Sequence, residues 1–504
     1  MSDTDVLIIG GGIMGAAIAR LLREQRPAAE ITIVDAGPPL GPVVGQHLHD
    51  VQDPQLWEAY NWAVSAGVQS LYVGAATRDH VAADIADVEP GMYFLSDFRD
   101  DAAAMPGAAI GWNGGGMGVH WTAATPWPYG FEVPAFIDAA QWAADLATAQ
   151  RTLQVHPRPY GPSPEGDRVL EELATVFGPL SDPGRGPQAM PMAVTPDGAG
   201  YAERVGPGRI FPPLHTGDDP AFRHRAHTLC LAVLHDGQRA TGARCRDLGT
   251  GEEYVVTADH VVVCADAMRT PQLLWASGIR STALGRNLNE HAFLSGRVIV
   301  DLDRLGIDVG AIAPPWRGES VTGSYWLPHS GPRQPFQGQI STQPILADDL
   351  RTPVGLLTGL SWYVPFETHD GNYLEFSDDE HDLAGMPRIT VHFAPTERDL
   401  ATLETGRAGQ RLAGDTLGDF DPDADSALLA AGSSLHYTGT VRMGPADDGT
   451  SVCDTDGRIW GMDNVYVAGN GVVPTPLACN STLTGMITAV RAARALAVAL
   501  ESVK

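Results

Sequence analysis

The N-terminal segment constrains the fold of this chain more than any other. An apolar run before Gly10 is typical of a buried parallel strand, and Gly10, Gly12 and Gly15 follow in G-x-G-x-x-G spacing. Apolar residues then recur with helical periodicity, and a second apolar strand, 31–34, ends at Asp35. This order of strand, turn, helix, strand and acid predicts a βαβ unit that binds a dinucleotide.

Each part of this unit has a physical role. Gly10 permits the tight turn, Gly12 lets the backbone approach a pyrophosphate, and Gly15 lets helix and strand pack closely. The start of the helix, which carries Met14, offers free N–H groups and the positive end of its dipole to phosphates. Asp35, about 20 residues beyond the glycines, is placed to accept hydrogen bonds from a ribose. The unit alone does not separate FAD from NAD.

Composition excludes several other classes of protein. At 504 residues the chain exceeds the usual single domain, and its net charge of -28 disfavours nucleic acids and anionic membranes as partners. It has no apolar stretch of about 18 residues and no basic start of a secretory signal, so we expect a cytoplasmic protein. The five cysteines form no C-x-x-C, and His47 and His49 have no Cys or carboxylate cluster beside them, so no metal site is predicted.

A second group of strands follows around residues 229–265. Alternating apolar residues with glycine breaks predict a β-meander up to Tyr254-Val-Val256, and the run 261–265 predicts a buried strand that returns to the parallel sheet and ends at Ala265. A meander between parallel strands resembles FAD-binding proteins of the glutathione-reductase type. The segment VVVCADAMRTPQLLWASGI, followed by GRNLNEH, resembles the glucose-methanol-choline family at the same place.

The C-terminal segment supplies a second half of the predicted site. Strand 465–469 ends in Gly469 and Asn470, and a long apolar helix is predicted over 482–499, beginning with Thr482. This succession resembles the flavin-ring end of the family's cofactor site, which favours FAD. A helix N-terminus there stabilises negative charge on a reduced flavin.

The segment GWNGGGMGVHWTAATP has too many glycines for an ordinary helix or strand. It resembles the histidine-tryptophan-threonine motif of pyranose oxidases, in which the histidine can carry the flavin covalently. By this resemblance His120 matches that histidine, Thr122 lies beside the reactive flavin face, and Met117 and Trp121 belong to the cofactor site. Val119 replaces a hydroxyl residue common in the fungal enzymes, and we expect non-covalent binding.

Two further segments, LHYTGTVRMG and PLACNSTLTG, resemble the closing motifs of the family. His436 matches its catalytic histidine and Asn480 the asparagine partner that pyranose oxidases use. A neutral imidazole can take the proton of an alcohol, while an amide holds the oxygen so that the C–H bond faces the flavin.

The segment PFQGQISTQP alternates like a strand, with Gln339, Ser341 and Gln343 on one face. It resembles the substrate-domain strand of pyranose oxidases, and Gln339 matches the sugar-contacting glutamine. Ser341 and Gln343 replace a histidine and an aspartate of the fungal enzymes. We therefore predict that Gln339 and Gln343 bind a sugar, with room for an attached aglycone.

Together these resemblances imply an α/β protein with a Rossmann-like FAD-binding domain of the glutathione-reductase type and a mostly antiparallel substrate-binding sheet domain. The predicted FAD-binding domain comprises residues 1–50, 100–130, 195–298 and 432–504. The predicted substrate-binding domain comprises residues 51–99, 131–194 and 299–431.

The implied reaction is oxidation of a secondary hydroxyl of a pyranose sugar or glycoside, at C3 or C2, to a ketone. Hydride passes to flavin N5, and oxygen or a quinone reoxidises the flavin. Two alternatives stay open. A sterol or simple-alcohol enzyme calls for an apolar pocket, against which Gln339 and Gln343 argue, and a non-catalytic flavin-binding protein does not explain His436 and Asn480. The chain is shorter than the tetrameric fungal enzymes, which favours a monomer or small oligomer.

Overall fold

The computed structural model describes residues 2–55, 83–196, 202–315 and 321–501. Part of the predicted substrate-domain segment 51–99 therefore lies outside the described residues. Within the described ranges the chain forms two large β-sheets, one mainly parallel with an antiparallel extension and one antiparallel, with helices packed against both.

The helices and strands follow one another along the whole described chain. The helices are α1 Ile13–Gln25, α2 Ala139–Thr152, α3 Pro164–Phe177, α4 Pro207–Ile210, α5 Pro213–Thr216, α6 Asp266–Ala276, α7 Leu302–Leu305, α8 Glu397–Leu417, α9 Pro422–Asp425 and α10 Ser481–Glu501. The strands are β1 Thr4–Ile9, β2 Ile31–Val34, β3 Gly91–Phe94, β4 Ala109–Trp112, β5 Val155–His156, β6 Gln188–Ala189, β7 Met192–Pro196, β8 Ala202–Arg204, β9 Phe222–Arg225, β10 Thr228–His235, β11 Ala240–Asp247, β12 Glu253–Val263, β13 Ala292–Ile299, β14 Gly323–Leu327, β15 Gln337–Leu346, β16 Pro353–Val364, β17 Tyr373–His381, β18 Pro387–His392, β19 Ser426–Leu428 and β20 Val465–Val467.

The first sheet contains the predicted βαβ unit. Its strands run in the order β10-β11-β12-β1-β2-β9, and β20 pairs with β12. Strand β1 is parallel to both β2 and β12, and β20 is parallel to β12. The carboxyl ends of these strands therefore meet at one edge, where ligands of open α/β sheets bind.

Strand β12 joins the two parts of this sheet. Its first residues pair with β11 in the antiparallel meander, and its later residues, from Ala258, pair with β1 in the parallel sheet. We predicted two separate strands here, Tyr254–Val256 and 261–265. The structure shows one strand, because the residues between them contain no glycine or proline and stay extended.

Helices α1 and α10 pack together on one face of the first sheet. Their contact uses small buried side chains such as Ala16, Ala19, Ala489 and Ala493, which let two helices approach closely. By length and composition α10 is apolar enough to cross a membrane, but 72% of its apolar window is buried inside the protein. It is thus a core helix that brings its N-terminus to the carboxyl edge of the sheet.

The second sheet is antiparallel, with strands in the order β19-β13-β16-β15-β14-β6. It agrees with the mostly antiparallel sheet that the sequence predicts. Helices α3 and α8 cover it, with Phe177, Trp362 and Leu417 in the shared core. Strand β13 lies almost entirely inside the segment 195–298 that we assign to FAD binding, yet it pairs in this sheet. The domain boundaries stay predictions.

Candidate active site

A cavity of about 810 Å³ is lined by residues of both sheets. This volume lies at the upper end of the roughly 300–1,000 Å³ typical of ligand pockets. Of the predicted site residues, it is lined by Gly10, Gly12, Met14, Asp35, Met117, His120, Trp121, Thr122, Ala265, Gln339, His436, Gly469, Asn470, Asn480 and Thr482. Among the described residues around this cavity, the lining does not include Gly15 or Gln343.

The turn between β1 and α1 presents bare backbone to the cavity. Gly10 has φ +109°, and a Cβ there would lie 2.5 Å from the Cys264 carbonyl oxygen, so only glycine fits between β1 and β12. Gly12 is the N-cap of α1 and no side chain caps the helix, which leaves its first N–H groups available to an anion. A Cβ at Gly15 would lie 2.0 Å from the Gly10 carbonyl oxygen, so Gly15 serves close packing.

Asp35 connects the two glycine-rich loops. Its Oδ2 accepts hydrogen bonds from the backbone N–H groups of Gly11 and Gly115, both at 3.1 Å, and its Oδ1 accepts one from Gly37 at 3.1 Å. Burial raises the pKa of the carboxyl, and the three backbone donors act against that rise. The carboxyl thus holds the second loop against the start of α1.

His120 lies in the second glycine-rich segment and is hydrogen-bonded to Asn113, a residue that we did not predict as part of the site. Its Nε2 is 2.6 Å from Oδ1 of Asn113, whose side-chain NH₂ donates to the Gly116 carbonyl. The amide oxygen therefore faces the imidazole, and Nε2 carries the hydrogen. Burial lowers the pKa of His120 to about 3, and its buried Nδ1 has no hydrogen-bond partner.

The same segment is held from two other sides. The Trp121 indole N–H donates to the Val205 carbonyl at 3.1 Å, and the Trp121 carbonyl accepts from Nε2 of His47 at 2.7 Å. We predicted no metal site at His47 and assigned it no other role. It is buried and fixes the backbone beside Thr122 at the cavity wall.

The C-terminal turn meets the start of α10. Gly469 has φ +109°, and its N–H donates to the Thr488 hydroxyl at 2.8 Å. The Asn470 side-chain NH₂ donates to the Ser481 hydroxyl at 2.8 Å, which leaves its buried Oδ1 without a partner. An uncapped α1, an unpaired imidazole nitrogen and an unpaired amide oxygen, all along one cavity, fit a dinucleotide with an attached ring system.

His436 and Asn480 meet at the same cavity. Nε2 of His436 is 3.4 Å from the side-chain nitrogen of Asn480. The ring of Tyr363 packs 5.5 Å from that of His436. Burial lowers the pKa of His436 well below its ordinary value, so the imidazole is neutral.

Each of the two residues has a buried partner that we did not predict. Nδ1 of His436 is 2.8 Å from Nε2 of His291, and Oδ1 of Asn480 accepts from Gln337 at 2.7 Å. His291 ends the segment GRNLNEH, which we used only as a family marker. Gln337 precedes Gln339 by two residues, so strand alternation puts both on one face, a pattern that would have identified it.

Gln339 and Gln343 differ in their surroundings. Gln339 lines the cavity opposite Ser361 of β16, and its buried Oε1 has no hydrogen-bond partner in the described part of the chain. Gln343 lies further along β15, opposite Leu357. A contact between Gln343 and substrate stays a prediction.

Residues 221–293 match the N-terminal family model of the GMC oxidoreductases, and residues 368–489 match the C-terminal one. The C-glycoside 3-oxidase of Microbacterium trichothecenolyticum is 36% identical over 98% of this chain and 97% of its own length. This chain belongs to the GMC oxidoreductase family. GMC oxidoreductases are flavoproteins that bind FAD, so the predicted family, enzyme class and cofactor are confirmed.

One further sequence relative and one solved structure are also similar to this GMC oxidoreductase. Pyranose 2-oxidase of Tricholoma matsutake is 26% identical over 98% of this chain and 93% of its own length. The crystal structure of formate oxidase superposes with a TM-score of 0.65 over 99% of both chains at 15% identity, which confirms the fold alone. FAD fits the cavity that the glycine loops, His120 and Asn470 line.

Proposed function

We propose that this enzyme oxidises a secondary hydroxyl of a pyranose sugar or glycoside to a ketone. The observation that carries the proposal is the meeting of His436 and Asn480 at a cavity that Gln339 also lines, with its buried Oε1 left without a partner among the described residues. The proposed base His436, the hydrogen-bond donor Asn480 and the proposed sugar contact Gln339 thus line the same cavity. The names of the relatives, C-glycoside 3-oxidase and pyranose 2-oxidase, support a sugar as the substrate.

The residues at this end of the cavity divide the work of the reaction. Neutral His436 takes the hydroxyl proton at Nε2, and the side-chain N–H of Asn480 donates to the substrate oxygen as its charge develops. FAD, when bound, accepts the hydride from the C–H bond, which completes the two-electron oxidation to the ketone. The Gln339 oxygen accepts a neighbouring sugar hydroxyl and so orients the ring.

FAD is held without a covalent bond. The start of α1 would hold its phosphates, and the turn Gly469-Asn470 with the start of α10 would hold its ring end. Val119 stands before His120 in place of the hydroxyl residue that is common in the fungal enzymes, which supports non-covalent binding. Acid precipitation of the yellow protein tests this: we expect the flavin in the supernatant, and flavin in the pellet contradicts it.

The preferred substrate is a glycoside oxidised at C3, with C2 as the second candidate position. The C-glycoside 3-oxidase is 36% identical to this chain and the pyranose 2-oxidase 26%, each over 98% of it. Turnover rates of glucose and of a flavone C-glucoside under the same conditions test the preferred substrate. NMR of the ketone product tests the position that is oxidised. We expect faster turnover of the glucoside and a 3-keto product; preference for glucose with only a 2-keto product leaves a pyranose 2-oxidase.

A sterol or simple-alcohol substrate is disfavoured by the polar groups of Gln339, Ser361 and Asn480 at the cavity. We further propose that the enzyme is a cytoplasmic monomer or small oligomer and that oxygen or a quinone reoxidises the flavin. Rates of reoxidation by each acceptor, measured after anaerobic reduction, rank the two acceptors. Light scattering that shows a tetramer contradicts the proposed assembly.

A further inference from the structure

A hydrogen-bond chain of defined direction runs through the catalytic pair. At one end, the Leu477 carbonyl oxygen lies 3.0 Å from Nδ1 of His291. A carbonyl only accepts, so Nδ1 of His291 carries the hydrogen. Burial lowers the pKa of His291 to about 4, so the ring is neutral and its Nε2 is an acceptor. Nδ1 of His436, at 2.8 Å, must therefore donate, and Nε2 of His436 keeps its lone pair.

The other end of the chain starts from a group that only donates. The Trp326 indole N–H lies 3.0 Å from Oε1 of Gln337, so the Gln337 NH₂ points the other way. That NH₂ donates to Oδ1 of Asn480 at 2.7 Å. The Asn480 NH₂ is thereby directed towards Nε2 of His436 and the cavity.

The residue before His291 fixes the backbone of the same loop. The buried Glu290 carboxylate accepts the N–H groups of Gly432 and Ser434, at 2.5 and 3.1 Å, and the Ser434 hydroxyl at 2.6 Å. The Ser434 hydroxyl in turn accepts the backbone N–H of His436 at 3.2 Å. Two consecutive residues thus hold the backbone and the ring of His436 separately.

We propose that His291 and Gln337 are positioning residues: His291 keeps His436 in the tautomer whose Nε2 lone pair faces the cavity, and Gln337 keeps the Asn480 NH₂ directed at the substrate oxygen. This inference rests on the proposed function, because it assigns roles relative to proton removal by His436. Without an acceptor at Nδ1, His436 can place its only hydrogen on Nε2, where it no longer accepts a proton from the alcohol. A reversed Asn480 amide would present oxygen to the substrate oxygen and repel it.

The test compares anaerobic flavin reduction in three variants of His291 and His436. In His291→Phe we expect FAD to be retained and the limiting rate of reduction to fall about 10- to 100-fold, with little change in the substrate concentration at half-saturation. In His291→Gln the amide can donate to Leu477 and accept from His436, so most of the rate should return. His436→Ala is the reference for complete loss of the base.

The matched control is His260→Phe. His260 is also buried, but neither of its ring nitrogens has a hydrogen-bond partner in the described part of the chain, and it does not line the active-site cavity. We expect normal reduction from this variant. A normal rate in His291→Phe beside an inactive His436→Ala overturns the inference alone, as does a His291→Gln as slow as His291→Phe. A normal rate in His436→Ala overturns the proposed function instead.

Gln337→Glu tests the other end of the hydrogen-bond chain, at Asn480. It also tests the inference independently if His291→Phe does not fold. The ionised carboxylate of this variant only accepts hydrogen bonds, so the Asn480 amide must reverse and reduction must slow. Protonation of the carboxylate restores a donor to Asn480, and Trp326 still donates to the other oxygen, so the rate should recover as the pH falls. Burial raises the pKa of the introduced carboxyl, so the pH series extends into the alkaline range. A variant that stays slow at acid pH, or one that loses no rate after its carboxyl ionises, contradicts the directed chain.

Discussion

The two ends of the FAD cavity are built on different principles. The nucleotide end is mostly backbone: Gly10 packs against the Cys264 carbonyl, Gly12 leaves room for the cofactor, and the start of α1 supplies uncapped N–H groups. The catalytic end is mostly side chains, with His436 and Asn480 directed by buried partners. The first end is therefore sensitive to added atoms, whereas the second is sensitive to their removal.

The difference also appears in distance along the chain. The turn and helix of the nucleotide end are contiguous, and Asp35 follows closely in sequence. The catalytic end combines loops and strands from four separate segments around residues 291, 337, 436 and 480. Its geometry therefore depends on the relative placement of the two sheets, and the predictions below test each end in its own way.

The largest expected effect is at the catalytic end. His436→Ala should keep FAD and lose about 10²–10⁴-fold in the rate of flavin reduction by sugar, because a positioned base contributes that much. Stopped-flow absorbance of the anaerobic protein measures it. His381→Ala, at an exposed histidine at the end of β17, should reduce normally. Equal rates in the two variants remove His436 from the mechanism.

The second prediction separates two glycines of the nucleotide end. Gly15→Ala puts a Cβ 2.0 Å from the Gly10 carbonyl, so it should destabilise the fold by about 1–3 kcal/mol. Gly12→Ala meets only the Gly115 carbonyl, at 3.6 Å, so it should fold normally and bind FAD less tightly. Thermal unfolding of the apoprotein and FAD titration measure the two effects. Gly178→Ala, which meets no atom within 4 Å, is the control, and a normal FAD affinity in Gly12→Ala contradicts the phosphate site.

The third prediction concerns pH. Burial lowers the pKa of His436 well below its ordinary 6.5, and the neutral ring is the active base. The base is therefore fully present above its lowered pKa, and the rate of reduction should stay constant as the pH falls through 6.5. Stopped-flow rates across the acid range check this. A rate that halves near pH 6.5 shows a histidine with an ordinary pKa.

The smallest expected effect is at the substrate strand. Gln339→Ala removes a neutral hydrogen-bond partner of the sugar, worth about 0.5–1.5 kcal/mol, so the concentration of substrate at half-saturation should rise roughly 2- to 10-fold. Gln343→Ala is the neighbouring comparison, since Gln343 does not line the cavity. A larger effect at Gln343 than at Gln339 places the sugar further along β15 than we propose.

The sequence was sufficient for the family and for the parallel strands and helix of the first βαβ unit. Gly10, Gly12 and Gly15 act through local backbone geometry, which spacing along the chain reveals, whereas the Asp35 carboxylate also holds Gly115 of the distant second loop. His436 and Asn480 were found only by resemblance to the family, because their chemistry depends on residues that meet in space. His291, Gln337 and Asn113 were missed for the same reason: a single buried polar residue does not reveal its distant partner in a sequence.

Strand β12 and strand β13 show a second limit. The sequence pattern identified two apolar segments of β12 but did not show that they form one strand. Alternation of apolar residues does not mark where a strand stops pairing with one neighbouring strand and starts pairing with another. Strand β13 lies in a segment that we assigned to FAD binding but pairs with β16 and β19. Strand partners are set by the tertiary fold, so boundaries drawn from local patterns are the weakest part of the prediction.

Anaerobic mixing of the yellow protein with a panel of sugars, glycosides and simple alcohols tests the central claim most directly. We predict that the flavin absorbance bleaches with a glycoside and that one ketone forms for each flavin reduced. Bleaching by simple alcohols but not by any sugar or glycoside would contradict the account, as would a flavin that no member of the panel reduces.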